Sequence, residues 1–200
     1  MTDTYLDTSN CTSLAIDIEA FFGCTNLTSV DLSGCTSVGE KVFYQCTNIT
    51  AVTWPTDTMK TIPSNCFSGC KNLKTFNSKT TGICDLTGIT SIGQQVFNNC
   101  TSLTSANLSQ CSFVGEMDFD GCTGLIPIIS TKTTIESHAF RGCQYVTIQA
   151  ASEADLESYC SDIDIDSDIA RDLSDLAEVK KLASIPGVTD VPTGLSYDHT

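Results

Sequence analysis

The sequence predicts an α/β repeat solenoid, and three observations carry that prediction. The frame Phe-x-x-Cys-x-x-aliphatic returns six times, as Phe21/Cys24/Leu27, Phe43/Cys46/Ile49, Phe67/Cys70/Leu73, Phe97/Cys100/Leu103, Phe119/Cys122/Leu125 and Phe140/Cys143/Val146. Successive copies lie 22, 24, 30, 22 and 21 residues apart, a period that belongs to stacked repeats. An aliphatic residue stands eight positions before every frame cysteine: Ile16, Val38, Ile62, Ile92, Val114 and Ile135. After the cysteine, Leu27-x-x-Val30-x-Leu32, Ile49-x-x-Val52-x-Trp54 and Leu103-x-x-Ala106-x-Leu108 alternate with period two, which reads as one short strand per repeat.

In chain order, residues 1–10 form an N-terminal extension and residues 11–151 the repeats. Within a repeat, the aliphatic residue is followed in three copies by Gly39, Gly93 or Gly115, and the spacing to the Phe suits a short helical or 3₁₀ turn. Gly23, Gly69, Asn99, Gly121 and Gly142 precede five of the six cysteines, which predicts a left-handed residue ending that turn. Stacked rungs then make a parallel sheet on one face and turns on the other. Residues 152–186 read as a helical C-terminal cap, with Ser152 as N-cap of a short helix and a second helix from about 166 to 184. Residues 187–200 read as a flexible tail.

Two departures interrupt the repeat. Eight extra residues, Asn77 to Cys84, account for the 30-residue spacing and are expected to leave the stack as a loop. Pro127 falls inside the fifth strand, where it cannot donate to a ladder, so a local irregularity is expected there.

The order aliphatic-Gly-x-x-x-Phe-x-x-Cys-x-x-Leu-x-x-Val-x-Leu resembles the BspA-type leucine-rich repeat family over about residues 11 to 151. The resemblance implies a leucine-rich-repeat right-handed superhelix with one short parallel strand per 21–24-residue rung, closed by C-terminal helices. The family is found in surface proteins of host-associated microbes and is taken to bind proteins or mediate adhesion. It carries over no catalytic residue.

Composition narrows the chemistry. The formal charge is −14, and residues 151–200 carry twelve acids against three bases, while residues 1–150 carry twelve against seven. An acidic chain without a Lys/Arg cluster argues against a nucleic-acid partner and against an anionic membrane surface. Residues 1–10 lack the basic start and apolar run of a signal peptide, and no apolar stretch approaches spanning length, so no membrane insertion is expected. The compartment stays open: the resemblance favours the cell surface or secretion, and free thiols would also suit cytoplasm.

Of the twelve cysteines, six share the frame position and Cys35 and Cys111 share another, which predicts a recurring packing role and not a disulfide framework. Ile89 stands where Cys35 and Cys111 stand, and Cys66 stands where Ala20, Val42, Val96 and Ala139 stand. Zinc at Cys66 and Cys70 is disfavoured because no second pair follows and the nearest histidine is His138. Asp164, Asp166, Asp168, Asp172 and Asp175 fall in a calcium-loop frame, but Ile169 occupies the place that needs glycine, so these acids read as helix N-terminal residues. With two histidines and no catalytic or cofactor fingerprint, no enzyme, metal or cofactor is expected. The Asn-x-Ser/Thr sequons at Asn10, Asn26, Asn48, Asn99 and Asn107 read as by-products of the repeat.

The expected function is a non-enzymatic protein-interaction or adhesion module, monomeric, with an unknown protein ligand. The alternative is a structural spacer or self-assembling rod. Three candidate partner surfaces follow. One is the inserted loop with Asn77, Ser78, Lys79 and Thr80; the second is the open sheet face with Thr75, Ser105 and Asn107. The third is the pair Phe22 and Tyr44 on adjacent turns, expected to pack on each other and on the N-terminal segment. The loop and the adjoining sheet face rank first.

Overall fold

Each repeat encodes one circuit of the chain, and the inward residues of successive circuits fall in register. The computed structural model describes residues 4–149 except 79, 131 and 144, together with 178–179 and 193–196, with side chains described up to residue 143. The long side of the solenoid is one parallel sheet made of β1 (Thr4–Asp7), β3 (Leu27–Asp31), β5 (Ala51–Thr53), β7 (Thr75–Phe76), β8 (Ile83–Asp85), β10 (Ser105–Asn107), β12 (Ile126–Ser130) and β14 (Tyr145–Gln149), in that order. A shorter side carries β2 (Leu14–Ile16) beside β4 (Cys35–Val38), and a separate sheet of β6 (Thr61–Ile62), β9 (Ser91–Ile92), β11 (Phe113–Val114) and β13 (Thr134–Ile135). The third side is formed by the turns that carry the Phe-x-x-Cys frame.

Those turns are not helical. Among the described residues there is no α- or 3₁₀-helix; the cysteine N–H of each frame donates to the carbonyl of its own Phe, as from Cys46 to Phe43 and Cys100 to Phe97, and the cysteine carbonyl accepts the N–H three residues on, as from Ile49 and Leu103. The cause lies in two left-handed residues per turn, where the sequence predicts one. The residue before the cysteine has positive φ in all six copies, Gln45 included, and so does the residue five before it: Glu19, Lys41, Asn65, Gln95, Met117 and His138. A helix cannot propagate through either position.

The frame phenylalanines form one column through the core. Ring centroids are 5.5 Å apart from Phe21 to Phe43 and from Phe43 to Phe67, 5.8 Å from Phe67 to Phe97, 5.3 Å from Phe97 to Phe119 and 5.7 Å from Phe119 to Phe140. Beside it runs a column of thiols that do more than fill space. The Sγ of Cys46, Cys70, Cys100, Cys122 and Cys143 each donates to the carbonyl of the Phe one rung earlier, at 2.9 to 3.4 Å. All eleven described cysteines are free thiols.

The expected loop over Asn77 to Cys84 is corrected by the structure. Only residues 77–82 leave the strand path; residues 83–85 return as β8, parallel to β7 and β10, with Cys84 fully buried opposite Phe76 and Ala106. Gly82 N–H donates to Lys74 O, and Gly82 O accepts from Thr104 N–H, as Thr50 does between its own neighbours. The insertion therefore duplicates the strand of the third rung. The sheet side gains a strand that the turn side lacks, since Phe67 still stacks directly on Phe97. An extra strand adds about 4.8 Å on one side, and large side chains fill the resulting wedge. Phe76 stands edge-on to Phe67 and Phe97, and Trp54 packs on Phe76, where other rungs place Val30, Ala106 or Leu32.

Pro127 causes no irregularity: β12 is continuous and pairs on both sides. Ile126 N–H points to β10, where it meets Thr104 O, so the nitrogen of Pro127 faces β14. Pairing with β14 begins only at Ile128, and the missing donor falls before it.

Beyond β14 the sheet continues differently from expectation. Thr193–Ser196, expected in a flexible tail, form β16 antiparallel to β14, and Glu178–Val179, expected in a helix, form β15 on its far side. The open edge of β14 offers unpaired backbone groups that a strand satisfies and a helix does not. The short helix placed after Ser152, the rest of the second helix and the five aspartates from 164 to 175 lie outside the described residues.

Candidate binding surfaces

Parallel register sorts the outward residues of the long sheet into columns. One column runs through Tyr5, Ser29, Ala51 and Thr75, and resumes as Ile83, Ser105 and Ile126. A second runs through Asp7, Asp31 and Thr53, and resumes as Asp85, Asn107 and Ile128. The expected residues Thr75, Ser105 and Asn107 do lie on this face, each half-buried.

Many of its small polar groups are already engaged. Thr50 and Thr104 hydroxyls donate to carbonyls of the preceding strand, at 3.0 Å each. The Oδ1 atoms of Asp7, Asp31, Asp85 and Asn107 accept the N–H two residues on, closing a turn at each strand end. What the sequence reading missed are the apolar members, Ile83, Ile126 and Ile128. Ile126 is 36% exposed. Alternation within Leu125-Ile-Pro-Ile-Ile129 was the available signal for two of them; Ile83 was hidden by reading its segment as a loop.

The loop residues come out unevenly. Asn77 is structural: its Oδ1 accepts the backbone N–H of Trp54 at 2.5 Å, and its Nδ2 is buried without a partner. Ser78 and Thr80 bond to each other within the turn. Lys79 lies outside the described residues.

On the turn face, Phe22 and Tyr44 stack with centroids 5.1 Å apart. Phe22 remains 49% exposed even with Tyr44 against it. The same ladder position holds Ser68, Asn98, Asp120 and Arg141 on later rungs, and Arg141 Nε donates to Asp120 Oδ1 at 2.9 Å.

Two kinds of buried titratable group stand out. Burial pushes the thiols up, Cys46 to about 11 and Cys111 and Cys122 to about 12, so they stay protonated and poorly nucleophilic. Asp118, at the inward position that holds Val42 and Val96 on other rungs, is fully buried. Burial pushes its carboxyl up to about 8, although Val96 N–H and Gly115 N–H donate to its two oxygens at 2.9 and 2.6 Å and oppose the rise. Among the described residues no cluster of three metal-ligating side chains occurs, and no helix is long and apolar enough to cross a membrane.

A six-copy match to the BspA type leucine rich repeat region covers residues 7–126 and 80–161, most of the chain. The chain belongs to the BspA-type leucine-rich repeat family. Among solved structures, this BspA-type chain is similar to a leucine rich cell surface protein from Faecalibacterium prausnitzii A2-165, at 20% identity and a TM-score of 0.50, over 69% of this chain and 43% of that one. It thus spans less than half of that neighbour's length. A leucine rich repeat protein of T. pallidum also matches, at 16% identity and a TM-score of 0.39, over 71% of this chain and 61% of the other. No curated protein sequence matches. The family match and the likeness to the Faecalibacterium prausnitzii protein agree with the fold described above, a parallel-strand solenoid of about six turns.

Proposed function

We propose that the chain is a non-enzymatic protein-interaction module that presents its long sheet to a protein ligand, with adhesion as the setting. The carrying observation is the apolar trio Ile83, Ile126 and Ile128, which lies outward on a sheet whose other outward residues there are Asp85, Ser105 and Asn107. Interface energy concentrates in a few large anchors ringed by small groups, and these isoleucines have no evident part in the core. Thr75 belongs to the same face. The family, and a neighbour described as a cell surface protein, support the reading. The test is a pull-down from the native environment with the intact chain and with Ile126→Lys plus Ile83→Lys. A partner retained by the first and lost by the second, at equal thermal stability, is the expected result. Equal retention by both would move the site elsewhere.

A spacer or self-assembling rod is the second reading, since the Phe22 and Tyr5 side chains at the first rung are exposed. Light scattering over a concentration series separates the two, because a rod grows and a module does not.

A further inference from the structure

The turn face holds a depression that the sheet-face reading does not use. Its floor is Ser68 and Gly69 on the third rung, its walls are Tyr44 and Gln45 on the second and Asn98 and Asn99 on the fourth, and Thr47 and Lys71 stand at its rim. It encloses about 470 Å³. The cause is plain in the sequence: the two residues before the frame cysteine are Tyr-Gln and Asn-Asn on the flanking rungs and Ser-Gly between them. Gly69 has φ 78°, and a Cβ there would stand 3.3 Å from Gln45 Cγ, so a larger residue would push on that wall.

The walls are prepared for a ring. Tyr44 has one face on Phe22, which lies on the preceding rung, so its other face is turned along the solenoid toward Ser68. A hydroxymethyl group is too small to cover a phenol. Rungs here are 5.5 and 5.8 Å apart along the Phe column, so the space between Tyr44 and Asn98 spans one missing ladder member. The far wall is fixed in place. Asn99 Nδ2 donates to Asn98 Oδ1 at 2.6 Å, Asn98 Nδ2 lies 3.5 Å from Asp120 Oδ2, and Arg141 holds Asp120 from the other side.

The lining chemistry selects the occupant. It offers three primary amides, the hydroxyls of Tyr44 and Thr47 and one ammonium above a buried Ser68, and no carboxylate, although the chain has 24 acids. Lys71 makes no ion pair among the described residues, whereas Lys41 pairs with Glu19 and Arg141 with Asp120. A phenyl ring in this space would leave amides and ammonium facing carbon. A pyranose presents a C–H face to Tyr44 and hydroxyls that both donate to and accept from amides, and a carboxylate on that ring would answer Lys71. We propose that this depression binds a single hexuronic acid residue, a carboxylated pyranose whose one carboxylate meets Lys71.

The test uses the full chain with methyl glucuronide, methyl glucoside and phenylacetate as probes, read by saturation-transfer NMR and calorimetry. The glucuronide is expected to bind in the millimolar range, about fivefold or more tighter than the glucoside. Lys71→Gln, at an exposed site, should erase that preference without changing thermal unfolding. Tyr44→Ser should weaken both sugars. The sheet-face pair Ile126→Lys with Ile83→Lys should change neither, which separates this site from the protein-binding reading. Absence of glucuronide binding, tighter binding of phenylacetate, or a preference that survives Lys71→Gln would each overturn the proposal.

Discussion

The thiol of Cys100 donates to the carbonyl of Phe67 across the gap between two rungs, at 3.3 Å. That carbonyl also accepts the N–H of Cys70 in its own turn, so the cysteine supplies a second donor to an oxygen deep in the core. Cys100→Ala should therefore cost about 1–2 kcal/mol, from lost volume and one lost bond. Cys100→Val should do no better, because it restores volume without a donor and adds a methyl to a packed column. Chemical denaturation of the three proteins checks this.

The same burial makes the thiols slow. In the folded protein at mildly alkaline pH, iodoacetamide should modify Cys11, which is exposed, well before Cys46, Cys111 or Cys122, whose pKa values are pushed to about 11 or 12. Denaturation should bring these core thiols to comparable rates without any reductant. Mass spectrometry of alkylated peptides reads both states, and pairing of the frame cysteines would sink the account.

Phe97→Ala in the middle of the column should cost about 3–5 kcal/mol. Asn98→Ala, next to it on the surface, should stay within about 1 kcal/mol. Equal shifts in the unfolding midpoint would mean that the inward register is wrong.

The wedge makes a sign reversal testable. Removing 77–84 would return the third repeat to a 22-residue spacing, with Phe76 inside a rung that no longer has room for it. The deletion alone should destabilise by about 1–3 kcal/mol through overpacking. Adding Phe76→Ala, the residue found at Ala106, should recover much of that loss, whereas Phe76→Ala in the intact chain should open a cavity costing about 3–5 kcal/mol. Additive effects would contradict the duplicated strand.

Asp118 predicts a pH dependence. Its folded pKa, about 8, lies above the ordinary 3.8, so the protonated form is favoured by folding. The stability it contributes is fully present below about 3.8 and is lost as pH rises through about 8. Asp118→Asn should flatten the stability profile between those values, measured by urea midpoints across pH.

Periodicity made the stack legible, because an inward position in a solenoid is inward on every rung, and the cysteine, Phe and aliphatic columns all sit where the spacing placed them. The turns were less legible: Glu19, Lys41, Asn65, Gln95, Met117 and His138 share a left-handed backbone but no residue type, so no composition signal marked that position. The insertion misled because only its first six residues look like a loop, while Ile83 and Cys84 repeat the outward–inward alternation of Thr75 and Phe76. Lone Ser68 and Gly69 gave no sign of a depression, which exists only by contrast with both flanking rungs.

The doubled strand has the form of an edge dislocation in a crystal: an extra half-plane ends inside the stack, so a count of layers gives a different answer on the two sides. In a crystal such a defect lets material be added without rebuilding the lattice. Here it means that the sheet can lengthen by one strand while the column of stacked rings stays unbroken, Phe67 still meeting Phe97 at 5.8 Å. Width of the display surface and number of repeats are therefore separable quantities in this architecture, and a face can be enlarged locally by copying a single strand rather than a whole turn.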